Sequence, residues 1–433
     1  MIRILKFSDL KPEEILNRDI RAEEDVSSAV DDILADVRAN GDAALRRYAE
    51  RFGGVSLDSL EISPAEWDAA VESVDPAFLE TLRQAAANIR AFHEKQIHDN
   101  FVLTRPDGVV MGQRYTPIEK VGICIPGSPV AFPSSVLMNA IPARLAGVSE
   151  IVMVTPPDKS GGISAEALAA ARLAGVTRVF KMGGAQAVAA LAYGTESVPR
   201  VDKIVGPGGV YVATAKRKVF GTVAIDMIAG PSEILVLADG KSNPRWVAAD
   251  LLSQAEHDVL ASAVLVTDSL ELAKAVQAEL EVQLSQLPRQ EVARRSIEDN
   301  GRIIVTDDLE KAVQAVNTIA PEHLELCVDE PFTLLGKNKN AGSIFLGRRA
   351  PEAMGDYFAG PNHTLPTSGT ARFSSPLSVD DFVKKSSFLY YSQEALTQAA
   401  PRVADFAERE GLHAHARSVT IRCEEEQKGE NPQ

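Results

Sequence analysis

The chain has 433 residues, of which 45% are hydrophobic and 24% are charged, and it carries a formal net charge of −15. This length predicts about two or three domains of roughly 150 residues each. The negative charge argues against a nucleic-acid partner, because neutralising phosphates requires clustered Lys and Arg. No apolar run approaches the roughly 18 residues of a membrane helix, so we expect no membrane segment.

The amino terminus and the cysteines indicate the compartment. The first residues, MIRILKFSDL, lack the apolar core and the small-residue cleavage site of a secretory signal. Cys124, Cys327 and Cys423 are odd in number and include no CxxC pair. They therefore provide neither a disulfide framework nor a thiolate zinc site, and we expect a cytoplasmic protein.

Helical periodicity dominates the first hundred or so residues. In DVSSAVDDILADVRANGDAALRRYAERFGG, apolar residues recur three and four apart, and a Gly pair ends the run. The other face carries acidic and basic residues. This pattern predicts packed helices with a solvated surface.

From about residue 121, short apolar strands alternate with alanine-rich helices. EIVMVTPP, TRVFKMG and VDKIVGPGG belong to a first set, and SEILVLAD, SAVLVTD and RIIVTDD to a second. Such alternation predicts the α/β class, with two doubly wound, incomplete Rossmann-like parallel-sheet domains and helical N-terminal and C-terminal extensions. The predicted boundaries are an N-terminal extension at 1–20, one α/β domain at 21–120 and 231–377, the other at 121–230, a helical tail at 378–422 and a disordered tail at 423–433.

Glycine-rich turns follow two strands of the first set. MGGAQA and VGPGG lie where an open α/β sheet binds ligands, at the carboxyl ends of its strands. Neither matches the G-x-G-x-x-G dinucleotide fingerprint. Spacing alone favours tight turns over nucleotide contacts for both segments.

A second group of residues could bind a metal ion. Gln254 and His257 are three residues apart in a predicted helix and so share a face. With Asp356 and His415 they offer two imidazoles, a carboxylate and an amide oxygen, which suit zinc or, less selectively, cobalt or manganese. Spacing alone nevertheless favours a surface polar pair over a metal site.

Glu322 and His323, at the junction of a helix and the following strand, have the chemistry for proton transfer. The competing interpretation is that both residues cap the helix end and contact solvent, and the pattern alone favours it. His363 and His413 are expected to be solvated loop residues.

Seven long motifs resemble the histidinol dehydrogenase family, over about residues 20 to 422. The motifs are PSSVLMNAIPA, GGAQAVAALAYGTESVP, AIDMIAGPSEILVLAD, DLLSQAEHD, IAPEHLEL, GDYFAGPNHTLPTSGTARFSSPLSVDDF and EGLHAH. The resemblance implies a four-electron oxidation of L-histidinol, through an aldehyde, to L-histidine, with two NAD reduced. It also implies one zinc ion per subunit.

The resemblance assigns roles to particular residues. Glu322 and His323 would be the catalytic pair, with His323 as the base for the alcohol and Glu322 activating water. The implied zinc ligands are Gln254, His257, Asp356 and His415. The implied substrate contacts are Ser232, Gln254, His257, His323, Asp356, Glu410 and His415.

The cofactor positions depart from the family pattern. Where the family reads YxPGG, this chain has Cys124 at the tyrosine and Ser128 at the second glycine, and Gly209 replaces the asparagine of GPGN. Gln186 is retained. Because Cys124, Gln186 and Gly209 match positions that contact the dinucleotide in the family, we predict weakened NAD binding.

The family forms homodimers whose carboxyl-terminal segment completes the partner's site, so Glu410 and His415 are expected to act across subunits. Three alternatives stay open: a related zinc- and NAD-dependent dehydrogenase of another small polar alcohol, a zinc hydrolase with Glu322 as base, and a non-catalytic metal-binding scaffold. Ser232 and Glu410 favour histidinol as substrate. The hydrolase lacks an HExxH-like framework.

Overall fold

The structure is a computed structural model that describes residues 1–10, 21–127, 131–228 and 230–429, without the side chains of 21–25 and 425–429. The chain forms two compact units. The first contains Met1–Ile97 and Ile118–Phe382, and the second contains His98–Pro117 and Val383–Gln433. Within the described ranges, no helix has the length and apolarity that a bilayer crossing requires.

The first unit contains a five-stranded parallel sheet in the order β6-β5-β4-β7-β8. Its strands are β4 (Lys120–Cys124), β5 (Glu150–Thr155), β6 (Arg178–Lys181), β7 (Lys203–Val205) and β8 (Ala224–Ile225). Val121 lies opposite Ile151 on one side and Lys203 on the other. Successive residues of β5 enter two different apolar clusters, so both faces of the sheet are covered.

Helices from two parts of the chain cover this sheet. The connecting helices are α4 (Pro133–Ala146), α5 (Ala165–Ala174), α6 (Gly184–Tyr193) and α7 (Val210–Val219). The amino-terminal helices α1 (Arg21–Tyr48), α2 (Pro64–Ser73) and α3 (Pro76–His93) pack outside them. The Trp67 indole N–H, for example, donates to the Leu168 carbonyl of α5 at 2.8 Å.

The predicted division of the chain, which joined 21–120 to 231–377, stays a prediction, and the packing of the N-terminal helices bears on it. The N-terminal helices share their buried clusters with the first sheet, because α1 contacts α6 and α7 while α2 and α3 contact α5. Helical periodicity shows which face is buried but does not identify the element that covers it.

A six-stranded parallel sheet follows, in the order β1-β11-β10-β9-β12-β13. Its strands are β1 (Arg3–Lys6), β9 (Glu233–Ala238), β10 (Ser262–Thr267), β11 (Arg302–Val305), β12 (His323–Cys327) and β13 (Ser343–Leu346). Its helices are α8 (Pro244–Ala255), α9 (Leu270–Leu284), α10 (Gln290–Asp299), α11 (Leu309–Ile319), α12 (Pro331–Leu335) and the short turn α13 (Glu352–Met354). The two sheets confirm the predicted α/β class with doubly wound parallel sheets.

Local sequence explains where many of these helices begin. At α2, the Ser63 side chain accepts from the Glu66 N–H and the Glu66 side chain accepts from the Ser63 N–H, forming a capping box. Ser269 and Asp308 cap α9 and α11 in the simpler way, by accepting a first-turn N–H. The caps of α9 and α11 fix strand-to-helix turns of the second sheet.

The second unit contains an antiparallel sheet in the order β14-β3-β2 and two helices. The elements are β2 (Phe101–Thr104), β3 (Val110–Pro117), β14 (Val383–Tyr390), α14 (Gln393–Arg409) and α15 (His413–Gly429). Helix α15 extends into the segment predicted to be disordered. Its Glu, Gln and Lys residues have good intrinsic helix propensity, which favours this extension.

Candidate active site

Most of the predicted site residues meet at the amino edge of the second sheet. Strands β9 and β12 are neighbours, with His323 opposite Ile234. Glu322 precedes β12, and Ser232, which is half-buried, precedes β9. Helix α8 ends at the same edge and carries Gln254 in its last turn. The site therefore lies opposite the carboxyl edge at which open α/β sheets usually bind ligands.

His323 has a defined tautomer when its ring is neutral. The residue is 3% exposed, and its Nδ1 lies 3.0 Å from the Glu233 carbonyl oxygen. Because a carbonyl only accepts, Nδ1 carries the proton. Nε2 is buried without a hydrogen-bond partner among the described residues and lies 3.5 Å from Asp356 Oδ1. The lone pair of Nε2 is thus directed into the site.

Glu322 is a buried carboxyl group beside this imidazole. Its Oε2 accepts from the Glu233 N–H at 2.8 Å and lies 3.6 Å from His323 Nδ1. Burial raises the pKa of Glu322 to about 8, against the lowering effect of His323. Burial would lower the pKa of His323, but the charges of Glu322 and Asp356 outweigh it and raise that pKa to about 10. The protonation of each group therefore depends on the charge of the other.

Gln254 presents an unpaired oxygen at the same place. The residue is 1% exposed, and its Nε2 donates to Glu352 Oε1 at 2.8 Å. Its Oε1 is buried and has no hydrogen-bond partner in the described part of the chain. A buried amide oxygen without a protein partner is unfavourable, so a ligand, an ion or a water molecule must supply the missing interaction.

Asp356 lies on the π-helical turn Gly355–Ala359 that continues α13. Burial would raise the pKa of its carboxyl, but His323 outweighs that effect and lowers the pKa to about 2. The group is therefore ionised and available as a ligand. Because its charge helps to keep His323 protonated, ligation of Asp356 by a cation would lower the His323 pKa.

His257 follows the end of α8, and the residue as a whole is exposed although other groups pack around its ring. Packing around its ring lowers the pKa, against the raising effects of Asp356 and Glu256. A neutral imidazole is the form that binds metal ions. The ring lies near enough to Asp356 and His323 for their charges to act on it.

His363 corrects the expectation of a solvated loop histidine. It is partly buried, its Nδ1 donates to the Asp356 carbonyl at 2.9 Å, and its Nε2 lies 3.2 Å from Ser135 Oγ. Burial lowers the pKa of its ring. This histidine therefore links the Asp356 turn to α4. His413 is exposed as expected, but it is the first residue of α15 and not a loop residue.

The donor set fits a divalent cation. Ligand atoms of His323, Glu352 and Asp356 lie within 4.8 Å of one another, and the unpaired Gln254 oxygen adds a neutral donor beside them. Oxygen and imidazole ligands without thiolate suit zinc. Sequence reasoning missed Glu352, whose only clue is its position four residues before Asp356 on one helical segment.

A cavity of about 390 Å³ lies at the carboxyl edge of the first sheet. Glycine backbones form much of its wall, and Cys124 and Gly209 also line it. Gln186 lies in the first turn of α6 and is 8% exposed. The predicted cofactor positions thus converge on this edge, except Ser128, which lies outside the described residues. Burial raises the pKa of Cys124 to about 12, so its thiol is neutral.

Glu410 and His415 belong to the second unit. Glu410 follows α14, and His415 lies in the first turn of α15. Both are exposed. The Leu412 N–H bonds to the Ala407 carbonyl at 2.8 Å and so closes the turn between the two helices.

Comparison with known proteins places the chain in a family. Residues 16–423 match the family model described as histidinol dehydrogenase. Histidinol dehydrogenase of Geobacillus kaustophilus is 55% identical over 401 residues, covering 93% of this chain and 95% of the relative. That of Halalkalibacterium halodurans is 53% identical over 423 residues, covering 98% and 100%.

A solved structure agrees with this assignment. The crystal structure of histidinol dehydrogenase from Elizabethkingia anophelis matches with a TM-score of 0.92 and 38% identity, covering 98% of each chain. The match extends over both parallel sheets and is not confined to one domain. The chain belongs to the histidinol dehydrogenase family and is an oxidoreductase of histidine biosynthesis.

Proposed function

We propose that this protein oxidises L-histidinol to L-histidine in two NAD-dependent steps, with L-histidinal between them. Family membership supports the reaction class. The observation that carries the residue assignment is the pair of unpartnered buried atoms, Gln254 Oε1 and His323 Nε2, beside the ionised Asp356. The Gln254 oxygen can bind a cation and the His323 nitrogen can accept a proton, and the proposed reaction requires both interactions.

Gln254, His257 and Asp356 would hold one zinc ion, with His415 as the fourth ligand. Zinc, when bound, would hold the amine and the imidazole of histidinol and so orient the alcohol carbon, a contribution of positioning more than of Lewis acidity. Ser232 and Glu410 would contact the polar groups of the substrate. Ser232 is suitably placed, since it immediately precedes β9.

His323 would take the alcohol proton in the first step. The Glu233 carbonyl keeps the proton of the neutral ring on Nδ1, so Nε2 is the atom that accepts. Transfer of the O–H proton to Nε2, together with loss of a hydride from the alcohol carbon, would leave the aldehyde, and NAD would be the hydride acceptor. Each NAD accepts two electrons, so two NAD account for the four-electron oxidation.

Glu322 would take a proton from a water molecule while the oxygen of that water bonds to the aldehyde carbon. The Glu233 N–H bonds one oxygen of this carboxyl group and holds it in place. Loss of a second hydride from the resulting hydrate anion, with NAD as the acceptor, would then give the carboxylic acid. Because burial raises the pKa of Glu322 to about 8, its conjugate acid is stable enough to hold the proton.

The glycine-lined cavity at the first sheet would bind NAD. Glycines let the backbone approach a pyrophosphate closely, and the cavity lies at the edge where open α/β sheets bind nucleotides. Cys124 and Gly209 offer neither an aromatic ring nor an amide to the dinucleotide. Weaker NAD binding than in relatives with tyrosine and asparagine therefore stays our prediction.

A homodimer would complete the site. Apolar side chains of the second unit, including Leu103, Leu389 and Phe406, are 56%, 65% and 69% exposed, and a partner subunit would cover such surface. Glu410 and His415 are exposed on the same unit. We propose that these two residues enter the partner's site. The cytoplasmic location also stays a prediction.

Two experiments test the proposal. NADH formation from L-histidinol should disappear after chelation and return when zinc is added; a reaction that survives complete removal of zinc would contradict the metal assignment. A His257→Ala chain mixed with a His415→Ala chain should regain part of the activity in heterodimers, since one of their two sites is intact. Absence of any rescue, in a mixture shown to contain heterodimers, would count against shared sites.

A further inference from the structure

Glu352 joins the two elements of the first unit that carry proposed metal ligands. It is 3% exposed, and its Oε1 accepts from Gln254 Nε2 at 2.8 Å while its Oε2 accepts from Ser253 Oγ at 2.8 Å. Its own N–H donates to Glu325 Oε1 at 2.7 Å. The last turn of α8 is therefore tied to the segment that leads to Asp356.

The contact with Gln254 decides which end of the amide faces the site. The oxygen and nitrogen of a glutamine amide have nearly the same shape, so hydrogen bonding alone selects the orientation. Glu352 Oε1 accepts, and it therefore selects the NH₂ end of Gln254. The oxygen end is turned away from Glu352 and remains buried and unpaired among the described residues.

Only the oxygen end can bind a cation, because the amide nitrogen has no lone pair to offer. We propose that Glu352 is a positioning residue that sets the orientation of the Gln254 amide and thereby the affinity of the site for zinc. The proposal rests on the proposed function, in which Gln254 is a zinc ligand. Outer contacts of this kind typically change metal affinity by about 10- to 100-fold.

Glu352→Gln tests the proposal. It preserves the size of the side chain but replaces a carboxylate, which only accepts hydrogen bonds, with an amide that can also donate. The new amide can donate to Gln254 Oε1, which would satisfy that oxygen in the wrong orientation. We expect the zinc dissociation constant, measured on the full-length protein by chelator competition, to rise about 10- to 100-fold. Ser253→Ala is the matched control, since it removes a different hydrogen bond to the same carboxyl group; its zinc affinity should stay within about twofold.

A double-mutant cycle separates positioning from direct ligation. If Glu352 acts through Gln254, then Glu352→Gln should weaken zinc binding little or not at all in a Gln254→Ala background. Additive losses, an unchanged zinc affinity in Glu352→Gln, or a loss exceeding that of Gln254→Ala would each overturn the proposal. An unchanged zinc affinity in Gln254→Ala itself would overturn the ligand assignment and the proposal with it.

Discussion

The two parallel sheets share one strand order but carry different chemistry at their edges. Counted from the first strand of each domain, both run 3-2-1-4-5, and β1 only extends the second sheet at its edge. The carboxyl edge of the first sheet is open and lined by glycine. The polar groups of the second sheet that we assign to catalysis lie at its amino edge.

The carboxyl edge of the second sheet is closed by ion pairs. The Arg348 guanidinium lies 2.5 Å from Asp239 and 2.6 Å from Asp329, and its Nε donates to Ser242 Oγ at 3.1 Å. These residues follow β9, β12 and β13, where a nucleotide would bind in a sheet of this order. Either edge of such a sheet could carry a functional site, and the side chains at each edge determine which one does.

The largest expected effect is at the amino edge of the second sheet. Glu322→Gln keeps the shape and an acceptor for the Glu233 N–H but cannot take a proton. We expect kcat for histidinol oxidation, followed by NADH absorbance, to fall about 10²- to 10⁴-fold, with zinc content unchanged.

Arg348→Met, at the opposite edge of the same sheet, is the control. It should lower the melting temperature, because Asp239 loses its ion pair, and leave kcat within about twofold. A comparable loss of kcat in Arg348→Met would mean that both edges serve the reaction, and the contrast between the sheets would then fail.

Sequence patterns predicted the parallel sheets well because their strands are buried on both faces. Runs such as Glu233–Ala238 are buried at every position. When helices alternate with such runs, the pattern indicates strands of a parallel sheet that is covered on both faces. The antiparallel sheet was missed for the opposite reason. Phe101–Thr104 is exposed throughout, so it has no alternation of apolar and polar faces, and β3 pairs with a strand that begins at Val383.

The candidate site was predictable only through family resemblance. Gln254 and His257 are close in sequence, but nothing local places them beside His323 or Asp356. Glu352 stayed unnoticed because its partner is 98 residues away and its role depends on an amide orientation. Burial of His363 could not be predicted either, since its contacts with Ser135 and Asp356 arise only in the folded chain.

Substitution of Asp42, which lies in a helix packed on the first sheet, is expected to have an intermediate effect, on the stability of the protein. Its carboxylate, 8% exposed in α1, accepts from the Thr195 hydroxyl at 2.6 Å and from the Ser197 N–H at 3.3 Å. We expect Asp42→Asn to lower the free energy of unfolding by about 2 kcal/mol at neutral pH, as for hydrogen bonds to a charged group. Denaturant titration measures this, and kcat should not change.

The pH dependence of that loss has a definite sign. Burial would raise the pKa of Asp42, but hydrogen bonds from Ser197 and Thr195 outweigh it and hold the pKa below the ordinary 3.8. A lowered folded-state pKa gives stability that is present above 3.8 and disappears as pH falls through the folded-state value. The difference between wild type and Asp42→Asn should therefore be constant near neutrality and shrink below about pH 4. A difference that grows on acidification would contradict this account.

The smallest expected effect is a gain of NAD affinity at the carboxyl edge of the first sheet. Gly209 has φ −64° and nothing within 4 Å of a Cβ at that position, so Gly209→Asn fits without strain. One added hydrogen bond, worth about 1 kcal/mol, should lower the NAD dissociation constant about fivefold. Gly209→Ala fits equally well but adds no amide, so calorimetry should find its NAD affinity unchanged. Equal tightening in both variants would point to a stiffer backbone, whereas tightening in Gly209→Asn alone, with zinc affinity constant, would separate the nucleotide edge of the first sheet from the metal edge of the second.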